Sequence, residues 1–203
     1  MTPSFRSAAT LSAASDPVTP SDPGLLHALR RATADRHAAL DATFPHGLAD
    51  RRTYVAYLRA MSSLATGLDA TPRRQLHADW QPWHDATRLQ AIIADLARFG
   101  LPPLTWPAAS LAPAEWIGAC YVFEGSSLGA RLLLRQAAAL QQRDVDATPA
   151  LSFLALHAGD TRRWPALLRA LATVPPRNHA DAIAGAIRAF SVTQTQLKET
   201  LAA

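Results

Sequence analysis

The stretch "CYVFEGSSLGARLLL", Cys120–Leu134, decides how the chain is read. Its Tyr, Val, Phe and Leu residues mark a buried segment, and Ala, Arg and Leu favour helix. Yet Gly125 and Gly129 stand four residues apart inside it. Each glycine costs about 0.8–1 kcal/mol relative to Ala in a helix interior. Residues four apart stack on one helical face, so Tyr121, Gly125 and Gly129 form one line. Two turns without side chains expose backbone along that line. Such a face serves a closely packed second helix or a flat ligand laid against the backbone. Spacing alone favours the packing account; glycines also let a helix kink.

Working outward, the periodicity is helical throughout. Residues 24–44 carry Leu26, Leu29, Thr33, His37, Leu40 and Phe44 at three- and four-residue spacing, with Asp22-Pro23 as an N-cap and first-turn signal. Residues 50–69 repeat the pattern with Tyr54, Tyr57, Leu58, Met61, Leu64 and Leu68, and 86–99 with Leu89, Ile92, Ile93, Leu96 and Phe99, closed by Gly100 and two prolines. One long helix is predicted over about 113–142, shorter ones over 148–158 and 161–173, and a last one over 178–201. No alternating strand pattern or internal repeat occurs. The expected fold class is all-α, a single domain of seven or eight helices over residues 22–203.

Composition sets limits on function. The chain has 203 residues, enough for a real core, and 49% are hydrophobic, as in a soluble globular protein. Residues 1–21 are rich in Ser, Thr, Pro and Asp and read as a disordered tail without a signal peptide's apolar core. The single cysteine, Cys120, permits no internal disulfide and suits a reducing compartment, so a cytoplasmic location is expected. No apolar run reaches the roughly 18 residues of a membrane span. The net charge of +4 comes almost wholly from Arg, scattered in pairs such as Arg30-Arg31 and Arg162-Arg163. No stripe of Arg alternates with aromatics, so no nucleic-acid groove is expected. Dispersed positive charge remains suited to an acidic partner protein or an anionic ligand.

The second half of the functional reading rests on His37, which lies on the apolar stripe of its helix. A lone histidine there is commonly a satisfied core residue. Three neighbours point the other way. Asp41 at i+4 is placed to accept the Nδ1–H, leaving Nε2 free for a metal. Arg30 lies about two turns back on nearly the same side, and Thr33 between them is small. That set suits a metal-centred ligand with a carboxylated edge, of which haem is one. His27 is the rival ligand, on another face; His46, His77, His84 and His179 read as surface residues, and a pocket role for His157 stays open. Paired-histidine zinc spacing is absent from the sequence.

"LRRATADRHAALDATFP" (Leu29–Pro45) and "YVFEGSSLGARLL" (Tyr121–Leu133), about 90 residues apart, together resemble the bacterial haem oxygenases, most of all those that supply biliverdin to bacteriophytochromes. "FLALHAGDTRRWPALLRAL" (Phe153–Leu171) looks like the family's downstream segment. The resemblance implies an all-α bundle holding haem between a proximal helix (about 24–44) and a distal helix (about 113–142). His37 matches the proximal iron ligand, with Asp41 behind it. Gly125 and Gly129 match the distal glycines, with Ser126 between them as a candidate hydrogen-bond donor. Arg30 and Tyr121 match positions that can contact the haem propionates, and Thr33 is the small residue that leaves room beside them. The implied reaction opens the porphyrin with O2 and electrons to give biliverdin, CO and ferrous iron, haem being substrate and cofactor at once. No flavin or dinucleotide fingerprint is present, so electrons come from a ferredoxin or a flavin reductase, and a bacteriophytochrome is a candidate biliverdin acceptor. The chain departs from the family at His157-Ala158-Gly159, where Tyr-Gly is frequent, at Ser126, where mammalian-type members carry Asp, and at Ala130, where many have a third glycine. Two other readings use the same residues: a haem carrier or sensor without turnover, and a helical interaction module whose glycines serve packing.

Overall fold

The computed structural model describes residues 24–107, 110–143 and 150–203. The expected tail over residues 1–21, the Asp22-Pro23 cap and Pro149 lie outside the described residues. Those described form eight α-helices and three short 3-10 helices, with no strand among them: α1 Gly24–Thr43, α2 Arg51–Ala70, α3 Thr87–Ala97, α4 Pro113–Gly125, α5 Ser127–Arg143, α6 Ser152–Gly159, α7 Arg163–Leu171 and α8 His179–Ala202.

Local chemistry sets the helix ends. Asp50 caps α2 through a reciprocal box, its Oδ1 accepting from the Thr53 N–H at 2.7 Å while Thr53 Oγ1 accepts from the Asp50 N–H at 3.1 Å. Gly100 follows α3 with φ +70°, and the Leu101 N–H reaches back to the Leu96 carbonyl. The buried Asp95 carboxylate accepts from the Ser152 and Phe153 N–H groups at 3.1 and 2.8 Å, so α3 caps the N-terminus of α6 and fixes where that helix points.

Helix α8 packs on α4, α2 and α1, and α3 with α6 closes the other side of α2. Leu29, Leu58, Ile92, Trp116, Phe153 and Leu167 are fully buried along this core. The closest approach is α4 on α8. A Cβ placed on Gly118 would lie 1.7 Å from the Ala182 carbonyl oxygen, and one on Gly185 would lie 2.0 Å from the Glu115 oxygen. Glycine is therefore required at both positions for the two backbones to touch. The glycines that serve helix packing are Gly118 and Gly185, and not the pair Gly125 and Gly129.

Two expectations change. The continuous helix over 113–142 is two helices meeting at Ser126. Gly125 is a weak helix former, and the Ser126 and Ser127 hydroxyls donate back to the Phe123 and Glu124 carbonyls at 2.8 and 2.6 Å, competing with the helical ladder where it bends. Between α2 and α3, where no element was expected, two 3-10 helices run over Arg73–Gln75 and Ala78–Trp83. Pro72 and Pro82 keep that segment from extending an α-helix.

Candidate active site

Helix α1 and the bend between α4 and α5 face each other across a cleft of about 250 Å³, floored by α2 and α8. It is bordered by Arg30, Thr33, His37, Tyr121, Gly125 and Ser126, and its apolar wall includes Leu40, Met61, Leu64, Val122, Leu128 and Phe190. Six residues singled out from two sequence segments about 90 positions apart thus share one concave surface.

His37 stands at the cleft with its side chain 64% exposed, so it is not a core histidine. Its Nδ1 is 2.9 Å from Asp41 Oδ2. A carboxylate only accepts, so the proton sits on Nδ1 and the Nε2 lone pair is free. Phe190 of α8 meets the imidazole edge-on at 6.0 Å and limits its rotation. Thr33 is buried and donates to the Leu29 carbonyl at 2.8 Å. Burial raises the pKa of the Tyr121 phenol, and the neighbouring Thr33 side chain and the Arg30 charge oppose that rise. Arg30 is exposed at the rim.

The two glycines of the opening stretch part company. Gly125 lines the cleft, and a Cβ there would meet only the edge of the Trp164 ring, at 3.4 Å. Gly129 does not line it; a Cβ on Gly129 enters open space. Residues four apart stack only on an unbroken helix, and the helix is interrupted at Ser126, between α4 and α5. Neither glycine contacts another helix backbone, which removes the packing account of this pair.

Sequence reasoning missed Trp164 of α7, tilted against Tyr121 at 5.8 Å, and the wall from α2 and α8. It also missed what lies behind the bend. Arg88 of α3, Glu124 of α4 and His157 of α6 are all buried. Arg88 forks onto the Glu124 carboxylate, which Arg163 engages from the other side at 2.7 Å. Burial pushes Glu124 upward, but the Arg163 hydrogen bonds and the Arg88 charge outweigh it and hold the carboxyl below its ordinary pKa. His157 is pushed down to about 3, by burial first and then by Arg88 and Arg163, with Glu124 opposing. Its Nε2 lies 2.8 Å from Ser126 Oγ. Of the histidines expected at the surface, His84 is half-buried, stacked on Trp116 and bonded to the Thr71 carbonyl, and His179 is bonded to the Val174 carbonyl.

Among the described residues, no three His, Cys, Asp or Glu side chains gather into a metal cluster, so a metal at His37 Nε2 would have no second such side chain pair beside it. A lone imidazole above an apolar cleft suits a metal that arrives with its own equatorial ligands.

No protein-family model matches the chain. A haem oxygenase of Xanthomonas campestris pv. campestris (strain 8004) is 34% identical over 163 residues, covering 74% of this chain and 92% of that protein. Among solved structures, the NO- and CO-bound haem oxygenase from Neisseria meningitidis shares the fold, with a TM-score of 0.67, covering 89% of this chain and 94% of that chain at 22% identity. With the length of the Xanthomonas protein almost wholly matched, the chain belongs to the haem oxygenase family.

Proposed function

We propose that the chain holds one haem in the cleft between α1 and the α4–α5 bend and opens it to biliverdin, CO and ferrous iron. The observation that carries this reading is the pairing of His37, its Nε2 free and its Nδ1 tied to Asp41, with a cleft wall that lacks a side chain at Gly125. The residues fit the group. The apolar wall matches a flat macrocycle, Arg30 would supply a cation at the rim for a propionate, and His37 would supply a nitrogen to the iron. When bound, haem provides both the iron at which O2 is reduced and the ring that is cleaved.

The chain's own residues do the positioning. His37 would hold the iron, and Asp41 fixes the His37 tautomer. Gly125 keeps the side of the cleft away from His37 free for O2. Tyr121 and Thr33 line the cleft beside Arg30. Electrons enter from an external donor, a ferredoxin or a flavin reductase; exposed Arg30 and Arg31 on α1 and Arg131 and Arg135 on α5 offer positive charge to an acidic one. A bacteriophytochrome is the proposed biliverdin acceptor, and a reducing cytoplasm the proposed location, in keeping with Cys120 buried as a free thiol. Among the described residues, no helix is long and apolar enough to cross a membrane.

Haem titration of the apo-protein followed by ascorbate in air tests the reading. One-to-one Soret development, then its loss with biliverdin on chromatography, is expected. A Soret band that persists under reductant and O2 would leave a carrier or sensor instead.

A further inference from the structure

The buried cluster behind the bend fixes the protons of a residue that lines the cleft. Arg88 Nη1 lies 3.2 Å from His157 Nδ1 and 3.2 Å from Glu124 Oε2. A guanidinium only donates, so Nδ1 must present its lone pair and the imidazole proton must sit on Nε2. Nε2 is 2.8 Å from Ser126 Oγ, and Ser126 Oγ is 2.8 Å from the Phe123 carbonyl oxygen. A carbonyl only accepts, so the single hydroxyl proton of Ser126 goes to Phe123 and its Oγ accepts from His157. One lone pair is left on Oγ, and no proton.

The cluster has little room to rearrange. His157 is stacked on Phe153 at 4.9 Å and packed on Phe123 at 5.2 Å, and Arg88 lies over the Phe123 ring at 4.5 Å. Asp95 caps the helix that carries His157. The charged groups facing the imidazole are Arg88 from α3, Glu124 from α4 and Arg163 from α7. A second proton on the ring would point an N–H at the Arg88 N–H.

Building on the haem reading, we propose that His157, with its tautomer set by Arg88, is a positioning residue that locks Ser126 as a hydrogen-bond acceptor toward the distal side of the cleft. Ser126 then offers the reaction a fixed lone pair and not a hydroxyl proton, which reverses the donor role that the sequence suggests for it. Groups on that side are selected for having a proton to give to Ser126.

Two measurements test this. Long-range 1H–15N correlation spectra of the full-length apo-protein should show His157 with a pyridine-type Nδ1 and a pyrrole-type Nε2, unchanged between about pH 5 and 8. The opposite tautomer, or a ring that titrates in that range, overturns the lock. Because this arm needs no haem, its result is read apart from any failure of the chain to bind haem. In the ferric haem complex, fluoride, which only accepts hydrogen bonds, serves as the probe ligand. His157→Leu removes the N–H that holds Ser126 Oγ against the Phe123 carbonyl, so the hydroxyl can turn to the cleft and tighten fluoride binding about fivefold, a hydrogen bond to an anion less the neutral one given up at Phe123. Adding Ser126→Ala should cancel that gain. His157→Gln, which can accept from Arg88 and donate to Ser126, should keep wild-type fluoride affinity. Unchanged affinity in His157→Leu, or a gain that survives Ser126→Ala, would overturn the proposal; a purely structural role would change melting temperature without this dependence on Ser126.

Discussion

Substituting alanine at Gly118 and, separately, at Gly129 should shift stability in opposite directions. Neither glycine has a positive φ, so alanine fits both backbones. At Gly118 the new methyl would sit 1.7 Å from the Ala182 oxygen and 2.6 Å from the Ala186 nitrogen. Both are backbone atoms of α8, so no rotamer change relieves the clash and α4 must move away. Overpacking of this kind costs about 1–3 kcal/mol, and a rigid helix neighbour puts Gly118 at the upper end. The gain in helix propensity returns about 1 kcal/mol, leaving a net loss of about 2 kcal/mol. For a chain of this size that is a fall in melting temperature of about 4–8 °C. At Gly129 a methyl meets nothing within 4 Å. Only the propensity gain remains, worth a rise of about 2–4 °C. The assay is thermal unfolding of the two apo variants beside wild type, followed by circular dichroism. A Gly118→Ala protein as stable as wild type, or a Gly129→Ala protein that melts several degrees lower, would refute the assignment of which glycine packs and which does not.

His37→Ala should lose the wild-type Soret and visible spectrum and regain it with added imidazole; an unchanged spectrum would move the iron to another histidine. Arg30→Ala should leave the spectrum intact and weaken haem binding about tenfold, the low end for a charge-assisted bond because Arg30 is exposed. Gly125→Leu should still bind haem through His37 while biliverdin yield collapses, since the side chain enters the cleft beside Trp164; normal yield would mean the distal side lies elsewhere. Stability should fall as pH drops from 6.5 to about 3, because the unfolded chain protonates His157 there and the native chain does not. The His157 share of that slope is about 1.4 kcal/mol per pH unit, and His157→Gln should flatten the acid limb of an unfolding titration by that amount.

The architecture was legible because helix periodicity is a local property. The stripes on α1, α2 and α3 are read from neighbours three and four apart, and those helices lie where the pattern puts them. The proximal half of the site was legible for the same reason: His37 and Asp41 are one turn apart on one helix, so their bond follows from sequence spacing. The long distal helix failed at Ser126 because a bend changes which residues share a face, and the spacing rule carries no information across it. Gly125 kept its place at the cleft and Gly129 lost it. A signal for the real packing glycines was present and went unread: Ala182, Gly185, Ala186 and Ala189 form a stripe of small buried residues on α8, the pattern of a helix approached closely.

Non-local pairing is what the sequence withholds, and the polar cluster consists of little else. Arg88 and Glu124 are 36 positions apart, and Arg88 and His157 are 69 apart. Each looks like an isolated polar residue on an otherwise apolar segment, which is the trace a buried pair leaves before its partner is known. Burial of a single unpaired charge costs several kcal/mol, so Arg88 and Glu124 in core segments imply one another. The same constraint bears on His157. The imidazole, clamped by Arg88, accepts on one nitrogen and donates on the other, and so passes the fixed orientation of the Arg88–Glu124 pair to Ser126 across the bend.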